Sequence, residues 1–79
     1  MGHLSPIFPL EGRLMLDTQA VKDRLRDMHM SQRQLADMAD TYPSNVSNIL
    51  SGKQLPSLPT LARMGSALQT DPREWLIWK

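Results

Sequence analysis

Apolar residues recur at helical spacing from Asp17 onward, and each recurrence follows a helix-start signal. Val21, Leu25 and Met28 lie four and three apart, with Asp17 or Thr18 where an N-cap belongs. Lys22, Asp23, Arg24, Arg26 and Asp27 form the solvated face of that first helix. Ser31-Gln32-Arg33-Gln34 has the form of a capping box: the Ser31 hydroxyl accepts from the Gln34 N–H, and the Gln34 amide reaches back to Ser31. It opens a second helix expected to bury Leu35, Ala36, Met38 and Ala39 and to stop near Asp40-Thr41.

Pro43 suits the first position of a third helix, where its missing N–H costs nothing. Tyr42 then falls at the N-cap with a side chain unable to cap. The helix runs through Val46, Ile49 and Leu50, and Gly52 closes it in the left-handed conformation. Ser57 opens a fourth helix bearing Leu58, Leu61, Ala62, Met64 and Leu68. Gly65 inside it costs about 1 kcal/mol in propensity, a cost usually met where two helices approach closely. Asp71-Pro72-Arg73-Glu74 signals a fifth helix, leading into Trp75-Leu76-Ile77-Trp78.

Residues 1–16 read differently. Pro6, Pro9 and Gly12 punctuate a stretch carrying Leu4, Ile7, Phe8, Leu10, Leu14, Met15 and Leu16. Two prolines forbid a helix there, so the expected state is an extended arm, with Arg13–Leu16 a short strand or the approach to the first helix. The expected organisation is the arm at 1–16 and one all-α domain of five short helices at 17–79.

Composition narrows the classes. A chain of 79 residues makes one small domain, and with no cysteine its core must be apolar packing alone. Leu, Met and Ala dominate that core, which suits helices better than strands. No apolar run approaches the roughly 20 residues that span a bilayer, and the N-terminus lacks the plan of a signal peptide, so a soluble cytoplasmic protein without membrane contact is expected. The histidines, His3 and His29, fall in no ligand or general-base spacing, and there is no Gly-rich phosphate loop. The reading is therefore of no enzyme, no catalytic residue, no metal and no cofactor. A net charge of +1 supplies no electrostatic argument for nucleic acid, so that argument must be local.

The informative segment runs from Gln32 to Ser51. Two helices of about eight residues, joined by a tight turn and lined by Leu35, Ala36, Ala39, Val46 and Ile49, have the pattern of a helix–turn–helix. Small Ala36 suits the point where two helix axes cross steeply. Opposite Val46, Ile49 and Leu50 on the third helix stand Ser44, Asn48 and Ser51, flanked by Asn45 and Ser47. These are poor helix formers on an exposed face, where Lys, Glu and Gln would stabilise better. Asn pairs with adenine edges and Ser bonds to bases or phosphates, so the face reads as a DNA-reading surface. The plainer alternative is a short helix whose stability comes from packing. Gln32 and Arg33 beside the open start of the second helix, with Lys53 and Gln54 after the third, are candidates for phosphate contact.

The runs Ser31-Gln32-Arg33-Gln34-Leu35-Ala36, Pro43-Ser44-Asn45-Val46-Ser47-Asn48-Ile49-Leu50-Ser51-Gly52-Lys53 and Asp71-Pro72…Trp75-Leu76 resemble the Cro/repressor-type (XRE-like, lambda-repressor-like) helix–turn–helix family, over about residues 18–77. The resemblance implies a compact five-helix domain binding operator DNA as a two-fold dimer and regulating transcription, most simply as a repressor. By position it gives Gln32 a phosphate contact and Ser44 and Asn48 base contacts. It places Pro43 at a base-reading position that a proline meets with apolar contact only. Base readers are thus Pro43, Ser44, Asn45 and Asn48, and phosphate contacts Gln32, Arg33, Ser51 and Lys53. Two departures are Asp40 and Gln69, where the family usually has glycine, so both turns are expected to differ locally.

One tryptophan and Leu76 can be core, but the other, with Ile77, is hard to bury in so small a domain, so Trp75, Ile77 and Trp78 are candidates for contact with a partner: a second copy in a homodimer, another protein, or a downstream domain. The apolar arm at residues 4–16 is a second candidate for that contact, and the plainer alternative is that both ends fold back onto one core. The rival function is an antitoxin-like or adaptor protein that uses this fold mainly to grip another protein, which the low net charge and Pro43 favour.

Overall fold

The computed structural model describes residues 14–78, the last of them by its backbone only. A short strand β1 (Leu14–Leu16) leads into α1 (Thr18–Asp27), α2 (Gln32–Met38), α3 (Pro43–Leu50) and α4 (Leu58–Ala67). A single 3₁₀ turn, Pro72–Trp75, then delivers the chain into β2 (Leu76–Trp78). β2 pairs antiparallel with β1, placing Leu14 opposite Trp78, Met15 opposite Ile77 and Leu16 opposite Leu76. The fold is therefore four α-helices and a two-stranded sheet, not five helices. The Asp71-Pro72 start signal is real, since Asp71 accepts from the Arg73 N–H at 3.0 Å. It opens only one turn because extended Leu76 (φ −91, ψ 130) is taken into the sheet. Leu14–Leu16 of the expected arm belongs to that sheet, and the rest of the arm lies outside the described residues.

The helices begin as their caps dictate. Asp17 accepts from the Ala20 N–H at 3.1 Å, Ser57 accepts from the Thr60 N–H at 3.3 Å, and the Ser31–Gln34 box is closed in both directions at 3.0 and 2.8 Å. Arg73 forks onto Asp71, and its hydrogen bond lowers the Asp71 carboxyl from 3.8 to about 2.

They end alike. After α1, α2, α3 and α4 one residue turns left-handed: His29 (φ 54), Asp40 (φ 57), Gly52 (φ 82) and Gln69 (φ 52). Each end carries the paired bonds of a Schellman motif, for α2 Asp40 N–H to Asp37 at 3.3 Å and Thr41 N–H to Ala36 at 2.9 Å. Asp40 and Gln69 thus keep the geometry expected of glycine and carry the strain of a side chain there, so neither turn departs from the pattern.

The core gathers Leu16, Val21, Leu25, Leu35, Ala36, Ala39, Val46, Ile49, Leu50, Leu61, Met64, Ala67, Leu68 and Trp75. Met28, Met30 and Leu76 pack half-buried against it. Three expected core residues stay outside: Met38 is 55 % exposed, Leu58 79 %, and Ala62 is exposed as well. Met38 is the last residue of the seven-residue α2, where it lines a pocket with Met28 and Met30, and Leu58 stands in the first turn of α4, before its apolar stripe engages the core. Gly65 answers a close approach of a different kind from helix on helix. A Cβ there would meet the Thr70 carbonyl oxygen at 2.8 Å and the Pro72 ring at 2.7 Å. Arg24, read as surface charge, donates from Nε to the Leu68 carbonyl at 2.8 Å and so closes the end of α4 from α1.

Gly65→Ala is expected to lower stability by about 1–3 kcal/mol in chemical denaturation, since backbone and a proline ring must both shift. Gln69→Gly is expected to raise it by about 0.5–1 kcal/mol through relief of the left-handed side chain, with an unchanged denaturant slope.

Candidate nucleic-acid interface

The third helix is docked by one side and open on the other. Val46, Ile49 and Leu50 are 0–2 % exposed, and α3 packs on α2 and α1. Ala36, fully buried, lets α2 come close. Tyr42 caps no N–H with its side chain, as expected, and Pro43 occupies the first turn. On the open side Pro43, Ser44, Ser47 and Ser51 are exposed and Asn48 is half-buried. The Ser51 hydroxyl donates to the Asn48 carbonyl at 3.1 Å, a local bond that water or phosphate can displace.

Asn45 is half-buried and already engaged. Its Nδ2 donates to the Thr41 hydroxyl at 2.8 Å and its Oδ1 accepts from Gln54 Nε2 at 2.5 Å. The side chain expected to read a base is thus the middle of a chain of hydrogen bonds reaching from the turn before α3 to the loop after it.

Gln32, Arg33 and Lys53 are all exposed. The first-turn amides of α2 have no helical carbonyl to bond, and the capping box takes that of Gln34, leaving the Gln32 and Arg33 N–H groups at the open end. The sequence pattern makes Tyr42 a poor cap and no more, yet it stands 77 % exposed at the head of α3. Gln54, a candidate for phosphate contact by position, also bonds to Asn45, a link across nine residues that has no periodic signature.

The C-terminal residues divide. Trp75 is 2 % exposed and belongs to the core, so it offers no surface to a partner. Its carbonyl accepts the Asp17 N–H at 2.6 Å. Ile77 is half-buried opposite Met15, which is 45 % exposed. The Trp78 side chain lies outside what is described. Among the described residues no group of three or more His, Asp or Glu could hold a metal, and no helix is long and apolar enough to cross a membrane.

The helix-turn-helix family model matches residues 21–75, from within α1 to the end of the 3₁₀ turn. The chain belongs to this helix-turn-helix family, of the XRE type. The family is one of DNA-binding regulators rather than enzymes. Two solved structures are similar. The restriction-modification controller protein C.AhdI from Aeromonas hydrophila is 26% identical, with a TM-score of 0.67 over 72% of this chain and 86% of its own. A candidate DNA-binding protein from Bacteroides fragilis is 25% identical, with a TM-score of 0.68 over 82% of this chain and all of its own. No curated protein sequence matches the chain.

Proposed function

We propose that this helix–turn–helix domain binds double-stranded DNA sequence-specifically, with α3 in the major groove, and acts in the cytoplasm as a transcriptional regulator of the repressor kind. The observation that carries it is the two-sidedness of α3: Val46, Ile49 and Leu50 bury one side, while Ser44, Ser47 and Ser51 stay exposed on the other. A helix of eight residues with that composition is not stable alone, so packing sustains a face that contributes little to stability. Such a face is free to be chosen for what it contacts.

In this reading Ser44 and Asn48 meet base edges, Pro43 makes apolar contact and Ser51 meets phosphate. Gln32, Arg33 and Lys53 bind phosphates on either side of α3. Tyr42, amphipathic and exposed, adds a hydroxyl within the same footprint. A homodimer sets two such helices on one duplex, with Ile77, paired in register with exposed Met15, and Trp78 as the candidate contacts. The similarity to a restriction-modification controller protein supports a regulatory role.

The adaptor reading predicts a different salt response. Binding to an unselected duplex should be weak and should fall steeply as salt rises, because phosphate contacts release counterions. No duplex binding at any salt would instead favour a protein partner.

Asn48→Ala should weaken binding to a duplex selected from a random pool by about 1–3 kcal/mol while leaving thermal unfolding nearly unchanged, and should do so mainly through one base pair. Lys53→Ala should weaken all sequences alike and flatten the salt dependence by about one phosphate.

A further inference from the structure

The chain of bonds through Asn45 has a consequence for reading. Asn45 spends one amide hydrogen on Thr41 and one lone pair of its oxygen on Gln54, and it is half-buried, so its amide is fixed between two neighbours rather than free to turn to a base. Gln54 spends one amide hydrogen on Asn45. Its Oε1 and its second Nε2 hydrogen have no protein partner among the described residues, and the residue is exposed. One acceptor and one donor on a planar amide are the pair that adenine's major-groove edge requires, through N6–H₂ and N7.

We propose that Gln54, a loop residue outside α3, is a base-reading side chain for adenine, and that Asn45 is the positioning residue that holds its amide, anchored in turn by Thr41. This rests on the DNA-binding reading above. A free glutamine on a loop samples many rotamers and loses that freedom on binding, at a cost on the order of 1–2 kcal/mol. Held at Asn45, Gln54 meets the duplex already ordered. The anchor is firm because Thr41 lies where the Schellman turn after α2 fixes its backbone, with its N–H on the Ala36 carbonyl at 2.9 Å. The reading surface therefore extends from α3 across the Gly52 turn, and the turn between α2 and α3 sets the aim of a residue thirteen positions further on.

The test uses the full chain, a preferred duplex selected from a random pool with it, and every single-base-pair variant of that duplex. Affinities are measured for the parent, Asn45→Ala, Gln54→Ala and the double variant, with thermal unfolding alongside. Gln54→Ala should lose discrimination at one A·T pair by about 5- to 100-fold. Asn45→Ala should lose discrimination at that same pair, and the double variant should be no worse than Gln54→Ala, because the two act as one unit. All variants should melt close to the parent.

Losses at different base pairs that add in the double variant would overturn the proposal while leaving DNA reading intact. So would a loss spread evenly over every sequence, or none for Gln54→Ala. Recovery of no preferred duplex would overturn the DNA-binding reading itself, and the assignment of Gln54 with it.

Discussion

The burial of Val46, Ile49 and Leu50 against α2 and α1 is the interaction from which the rest follows. Each such side chain contributes about 1.5–3 kcal/mol on leaving water. An isolated eight-residue helix rich in Ser and Asn has no comparable source of stability. The consequence is a division of labour within one short element. Three positions hold the helix, and the others are released from holding it. Ala36 makes the same bargain on α2, giving up side-chain volume so that the two helices approach.

The second constraint is angular. Four helices of seven to ten residues can surround one small core only if the chain reverses sharply after each. Every reversal uses the same left-handed residue and the same pair of backbone bonds, although only Gly52 is free of side-chain strain. Keeping His29, Asp40 and Gln69 at such positions shows that tertiary packing, not local preference, sets the turn. The pairing of β1 with β2 then ties the two ends of the described chain together, with Leu16 and Trp75 in the core.

Much of this was legible in the residues. Caps at Asp17, Ser31, Ser57 and Asp71 mark their elements because a side-chain oxygen must meet an orphan N–H, which is a local demand. The α3 stripe of Val46, Ile49 and Leu50 follows from helical period alone. What escaped is non-local. Leu76–Trp78 pairs with residues some sixty positions away, so nothing near it distinguishes a strand from a continued helix. Apolar Met38 and Leu58 fit the helical stripe, but their helices are too short for every stripe position to reach the core. Gly65 announced a close approach without naming Thr70 and Pro72 as the elements approaching. At the interface, exposure of the serines was readable from the wheel, whereas the engagement of Asn45 by Thr41 and Gln54 required three segments to be seen at once.

In the proposed function, α3 is held from behind so that its front can meet DNA. Backbone amide resonances recorded while a selected duplex is added put this to the test. Shifts are expected to concentrate at 42–54 and in the first turn of α2, with α4 and the β1–β2 pair little changed. Shifts confined to α4 and the β1–β2 pair, with 42–54 undisturbed, would rule it out.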